Sequence, residues 1–209
     1  GPIYLQLPFP TCLNHSAPME TPLSKPLMPS RLVENEPQTE SLGTGNQDSA
    51  LKRGIFIHKL LQYLPEIEPS KRKEIAFRLK PDEIDISEKL FDVFEDPTFN
   101  VLFGQNSVAE APITGIVSGK VFSGQIDRLI VLDNEVWIVD YKSNRYVPKS
   151  PNEVHKTYKA QLYAYNNLIK DIFPDKIIRT FLLWCENLTL MEMTETLTTF
   201  TPEFVKDKK

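Results

Sequence analysis

The stretch from Gly124 to Asn144, GQIDRLIVLDNEVWIVDYKSN, leaves the chain little freedom in how it folds. Two runs rich in β-branched residues, Gln125 to Leu132 and Glu135 to Tyr141, flank Asp133-Asn134, a pair that favours tight turns. With a two-residue turn, facing residues have numbers that sum to 267. That register sets Asp127 opposite Asp140, with Cβ atoms roughly 4.5–5.5 Å apart. Alternation then puts Gln125, Leu129, Val131, Val136, Ile138 and Lys142 on the face of the two aspartates. Ile126, Ile130, Trp137 and Val139 fall on the other face, so both sides suit a central sheet region.

Two facing carboxylates repel, and something must offset them. A divalent cation held by both, with Lys142 as a fixed positive charge beside it, is the simplest arrangement. The plainer alternative turns one Asp to the rim, where it pairs with Arg128 or Lys142 as a surface ion pair. A three-residue loop would shift the register but would still leave Asp140 and Lys142 on one face.

Length bears on this because a buried site needs a core around it. The chain has 209 residues, 41% of them hydrophobic, enough for one sizeable core plus extra segments. A net charge of −4 is no basic signature overall, but it is unevenly spread. Residues 51–80 hold eight Lys or Arg against three Glu, and 81–135 hold three against eleven acidic residues. From 140 to 179 the balance returns to eight against four. Two basic stretches around an acidic middle suit a polyanion surface around a carboxylate site, although such charge runs are more often solvated helix faces. Cys12 and Cys185 form no CxxC pair, zinc set or disulfide framework. With neither an 18-residue apolar run nor a signal-peptide pattern, a reduced, intracellular protein without membrane contact is the expectation.

Gly1-Pro2 has the form of a tag-cleavage remnant. Residues 1–50 read as an extended Pro-rich tether, with Ile3-Tyr4-Leu5 and Leu27-Met28 as short docking anchors. Such a start is what a piece of a longer protein would show. Residues 51–209 read as one domain. Leu51 to Leu64 has helical spacing, with Ile57, Leu60, Leu61 and Leu64 as its stripe and His58 at the edge. Helices follow over Ser70 to Arg78 and Ser87 to Phe94, then a short apolar piece from Phe99 to Phe103. Val108 to Ile116 reads as an irregular strand carrying Glu110. Gly119 and Gly124 have P-loop spacing, but Gln125-Ile126 replaces the required Lys-Ser/Thr and a strand follows, which excludes a nucleotide-binding loop. Glu153 to Ile172 reads as a long helix on which Gln161 and Tyr165 share a face, by themselves best read as a core Tyr beside a surface Gln. A second hairpin, Arg179 to Cys185 and Leu188 to Met193, completes an α/β core with a mixed sheet flanked by helices.

The blocks GIFIHKLL at 54–61, GQIDR at 124–128, IVDYKSN at 138–144 and QLYAY at 161–165 stand in one order. In these the chain resembles the PD-(D/E)XK (restriction-endonuclease-like) superfamily, and within it the RecB-like nuclease domains that end AddA-type helicase–nuclease subunits. The resemblance spans roughly residues 51–195. It implies that His58, Asp127, Asp140 and the backbone carbonyl of Tyr141 hold Mg²⁺ or Mn²⁺, ions that suit oxygen ligands with one imidazole. It implies that Asp127, Asp140 and Lys142 are catalytic, with Lys142 orienting or helping to deprotonate the attacking water. Gln161 and Tyr165 match a helix that lies along the DNA strand, and Glu110 takes a supporting place. Ile126 stands where the superfamily name has Pro, as is common in the RecB-like branch. The iron–sulfur cysteines of some relatives are missing, and so is every helicase motif.

The expected function is Mg²⁺-dependent hydrolysis of single-stranded DNA in double-strand-break repair, in the bacterial cytoplasm. The expected partners are a helicase domain of the same parent chain and an AddB-type subunit. The competing expectation is a catalytically silent module of the same fold that guides DNA or docks a partner.

Overall fold

The computed structural model describes residues 26–29, 44–79 and 84–206. The anchor expected at Ile3-Tyr4-Leu5, and Cys12, lie outside the described residues. Three helices lead: α1 (Thr44–Tyr63), α2 (Pro69–Leu79) and α3 (Ile84–Glu95), followed by a 3₁₀ turn over Pro97–Phe103. Next come β1 (Ser107–Val117), β2 (Lys120–Val131) and β3 (Glu135–Lys142), then α4 (Lys156–Ile172). The chain ends in β4 (Ile177–Trp184), β5 (Thr189–Glu192), α5 (Thr194–Thr199) and α6 (Glu203–Lys206). Helix α1 begins at Thr44, inside the stretch read as tether, and α5 and α6 lie where no helix was expected.

The five strands form one sheet in sequence order, antiparallel except for β3 and β4, which run parallel. Parallel neighbours need a long crossover, and α4 supplies it. The sheet is therefore mixed and flanked by helices, as expected. On one face, Ile57, Leu60 and Leu61 of α1, with Leu90 and Val93 of α3, pack on Ile130, Val139, Tyr141, Phe181 and Leu183. On the other, Ala164, Tyr165, Leu168 and Ile169 of α4 pack on Ala111, Ile113, Phe122, Ile126, Val136 and Ile138. Strand β3 is covered on both sides, which explains its unbroken apolar run.

The β1–β2 hairpin was not legible as such. Its turn, Ser118-Gly119, has φ of 52° and 79°. Left-handed backbone at both central positions is the tight-turn geometry that suits the twist of antiparallel strands, and glycine adopts it without strain. The β2–β3 turn does follow the expected register: Arg128 faces Val139 and Val131 faces Val136.

One face assignment needs correction. Phe122 and Ile126 face α4, but farther along β2 it is the odd-numbered Leu129 and Val131 that do so, while Ile130 faces α1. The alternation skips a step at Asp127. Opposite it on β1, Glu110 has φ 49°, a left-handed value rare for a residue with a side chain. Pairing resumes in step on both sides, Ala109 with Arg128 and Ala111 with Ile126. Both strands therefore change face together at one point. Ile126 consequently packs on the α4 side, not with Ile130.

Candidate metal centre and its lysine

The irregularity at Glu110 and Asp127 builds the site. Ladder pairing between β2 and β3 stops at Arg128 and Val139, so Asp127 and Asp140 are not a paired couple as the simple register required. Instead the Asp127 carboxylate takes the place of a ladder bond: the Tyr141 N–H donates to its Oδ2 at 2.6 Å. Asp127 thus sits in the mouth of the fork between the two strands. Its Oδ1 lies 3.5 Å from His58 Nδ1 on α1. The His58 ring stands edge-on to Tyr141, with centroids 5.6 Å apart. Donor atoms of His58, Glu110 and Asp127 all fall within 4.8 Å of one another.

Asp140 and Lys142 share the α4 side of β3, as expected. Asp140 is 2% exposed and Lys142 8% exposed, so this is no surface ion pair. Lys142 Nζ lies 2.7 Å from Asp140 Oδ2, donates to Gln161 Oε1 at 3.1 Å, and sits 4.1 Å from the centre of the Tyr158 ring. The approach to Asp140 is close but poorly directed, and Oδ2 has no aligned hydrogen bond. Its one close partner among the described residues is therefore the Lys142 ammonium, held as an ion pair.

Gln161 is buried and holds Lys142, while its helix neighbour Tyr165 is fully buried and donates to the Gln125 carbonyl at 2.7 Å. Tyr165 therefore braces β2 and offers no surface to a strand of DNA. His58, Glu110, Asp127, Asp140, Lys142 and Gln161 line one cleft of about 620 Å³, with Tyr141 at its floor.

Electrostatics in this cleft are strained in one direction. Burial raises the Asp140 carboxyl above its ordinary range, against the pull of Lys142 and with the push of Asp127. Burial, and then the Asp127 charge, raise Glu110 as well. Burial alone would lower His58, but attraction and hydrogen bonding from Asp127, aided by Asp140, carry it above its ordinary value. Carboxylates that hold on to protons because they are buried, and then because a second carboxylate lies near, are what a bound cation relieves. Together with the undirected Oδ2 of Asp140, this donor set fits a hard divalent ion. The cluster differs from the expected one in emphasis: Glu110 stands with His58 and Asp127, while Asp140 leans on Lys142.

Sequence reasoning passed over three supporting residues. Arg128 is 1% exposed and donates to the Leu61 carbonyl at 2.6 Å and the Tyr141 hydroxyl at 3.0 Å. Tyr158, besides its ring under Lys142, donates to Asn144 Oδ1 at 3.1 Å. Arg53 ties α1 to the Ser143 carbonyl at 2.9 Å and to Glu186 at 2.7 Å. Of these only Tyr158 left a signal, three residues before Gln161 and hence on the same helix face. The basic stretches are also less available than their charge implied. Arg53, Lys156 and Arg179 are in ion pairs, whereas Arg145 and Lys149 are exposed just beyond the cleft-lining Asn144.

Comparison with known proteins places this geometry. Relatives include the A subunits of ATP-dependent helicase/nucleases from Streptococcus pyogenes serotypes M12 and M28, each 25% identical over 148 residues, 62% of this chain. The match spans only 12% of the length of those relatives. Among solved structures, a candidate exonuclease from Eubacterium rectale aligns with a TM-score of 0.45 and 12% identity, covering 76% of this chain and 64% of that one. No described helix is long and apolar enough to cross a membrane. The model of the PD-(D/E)XK nuclease superfamily matches residues 33–183, which take in the cleft from His58 to Gln161, and the chain belongs to that superfamily.

Proposed function

We propose that this chain hydrolyses phosphodiester bonds of single-stranded DNA with Mg²⁺ or Mn²⁺, as the nuclease part of a cytoplasmic helicase–nuclease in double-strand-break repair. The observation that carries the reading is the cluster of His58, Glu110 and Asp127 donor atoms beside the buried Asp140–Lys142 pair. In this reading His58, Asp127 and Asp140 hold the cation, with Glu110 as a further oxygen ligand and the Tyr141 carbonyl within reach. When bound, the ion polarises the phosphate and makes a neighbouring water more acidic. Lys142 places its charge where negative charge builds on the phosphate and orients the attacking water, and Gln161 keeps it aimed. Arg145 and Lys149 carry the strand's backbone away from the cleft, so cleavage has little sequence preference and weakens with salt. The 25% identity to the helicase/nuclease proteins supports two partners, a helicase region in the same parent chain and a second chain of the AddB type.

The test pairs cleavage with metal binding. Mn²⁺ is expected to raise the Tm of the wild-type chain and to support cleavage of a single-stranded oligonucleotide; His58→Ala and Asp127→Asn each lose most of that rise. Protons and the cation compete for the same atoms. The rise in Tm therefore shrinks as pH falls through the raised pKa values of His58 and Asp140. A chain with no Mn²⁺ response and no cleavage would instead be a DNA-guiding module.

Tyr158 gives a second check. Tyr158→Leu removes the ring under Lys142 and is expected to lower kcat about tenfold with little change in KM, on the scale of a buried cation–π contact. Tyr158→Phe keeps the ring and recovers most of the loss; equal defects in the two variants would remove the ring from the account.

A further inference from the structure

Pairing between β2 and β3 ends at Arg128, yet β2 begins at Lys120, so part of one β2 edge has no neighbour from β3. The other edge is taken by β1 along its length. Residues 26–29 fill the gap. The Leu27 N–H donates to the Val121 carbonyl at 2.7 Å, and the Ser123 N–H donates to the Leu27 carbonyl at 2.9 Å, a parallel bridge to Phe122. The Leu27 side chain packs on the core that contains Phe122 and Ile126, and Pro29 is buried. A Cβ on Gly124 would lie 3.0 Å from Pro29 Cδ and 3.2 Å from the Tyr165 hydroxyl. Absence of a side chain there lets the segment and α4 close on β2 from two directions.

The consequence lies at Met28. With Leu27 anchored on one side and Pro29 on the other, Met28 lines the cleft alongside Glu110, Asp127 and Asp140 and remains 42% exposed. An exposed methionine on a fixed backbone is a soft apolar wall beside the carboxylates of the site. A single strand presents unstacked base faces to such a wall, whereas a duplex keeps its base faces stacked inside.

Building on the nuclease reading, we propose that residues 26–29 are a specificity wall: held on the β2 edge through Leu27, they place Met28 so that the cleft accepts a single DNA strand and rejects a duplex. The segment touches β2 through one bridge at Leu27 and places only that side chain on the core beside Phe122.

The experiment uses the full chain with Leu27→Asp, which drives the anchor off its apolar seat, and Met28→Ala, which trims the wall and keeps both backbone hydrogen bonds. Cleavage of a single-stranded oligonucleotide and of its blunt duplex is measured with Mn²⁺, and binding of both by fluorescence anisotropy with Ca²⁺ instead. The preference for single strand over duplex is expected to fall about tenfold in Leu27→Asp, and by less in Met28→Ala, in both readouts. An unchanged preference in both variants overturns the wall, and so does an equal gain on both substrates. Should Leu27→Asp fail to fold, Met28→Ala decides alone. A wild-type chain that cleaves and binds neither substrate sinks the nuclease reading and the wall with it. Wild-type single-strand cleavage with unaltered preference in the variants sinks only the wall.

Discussion

Asp140→Asn is expected to cut Mn²⁺-dependent cleavage of single-stranded DNA on the order of a thousandfold, the scale of losing a preorganised charge from a dry site. Asparagine keeps the size of the side chain and one oxygen for Lys142, so circular dichroism should show an intact fold. What it loses is the negative charge. Asp140 is buried, its Oδ2 lacks an aligned hydrogen bond, and its carboxyl resists ionisation because of burial. Lys142 offsets part of that charge, and a divalent ion beside it would offset more. The same substitution therefore diminishes the Mn²⁺-induced rise in Tm. Near-wild-type cleavage by Asp140→Asn would contradict the assignment of this carboxylate, whatever the state of His58 and Asp127.

Arg128→Met is expected to be the most destabilising single change, costing about 3 kcal/mol in urea unfolding. Leu61 lies in the last turn of α1, where carbonyls have no partner within the helix. The Arg128 guanidinium reaches across from β2 to satisfy that carbonyl, holds the Tyr141 hydroxyl, and lies 5.0 Å from the centre of the Phe103 ring. Its positive charge also suits the C-terminal end of a helix. Methionine replaces much of the apolar stem but strands the buried Leu61 carbonyl and Tyr141 hydroxyl. Arg128→Lys offers no rescue, because an ammonium cannot reach both acceptors with the geometry of a planar fork. Since α1 carries His58, metal stabilisation should weaken in parallel. A loss below about 1 kcal/mol would show that the fork is replaceable by water.

The outcome for these two neighbours shows how far residue patterns reach. Asp127 was picked out by a turn register that set it opposite Asp140, a pairing the ladder stops short of, and Asp140-Tyr141-Lys142 because period-two alternation puts its two charges on one face. The two-residue turn at Asp133-Asn134, the helical stripe that carries His58 and the pairing of Gln161 with Tyr165 on one helix face are local properties of the chain. Local spacing determines them.

Spacing failed where two strands act on each other. Alternation extrapolated through Asp127 sent Ile126 to the wrong face, because the left-handed turn at Glu110 on the neighbouring strand lets both strands change face together. That event depends on pairing across the sheet, and no period within one strand contains it. Arg128 likewise entered only as an alternative surface partner for an aspartate, since its real acceptors, a helix-end carbonyl 67 positions earlier and a tyrosine on the next strand, meet only after α1 packs.

The sequence by itself thus determined a mixed sheet, the chemical types at the site and the superfamily those types resemble. Tertiary structure alone decided that Glu110 joins His58 and Asp127, that Asp140 leans on Lys142, and that Met28 lines the cleft. The physical reason is range. Turn and alternation preferences act over a few neighbouring residues, whereas a cluster of charges is set by which distant elements bury one another's backbone and leave an edge to fill.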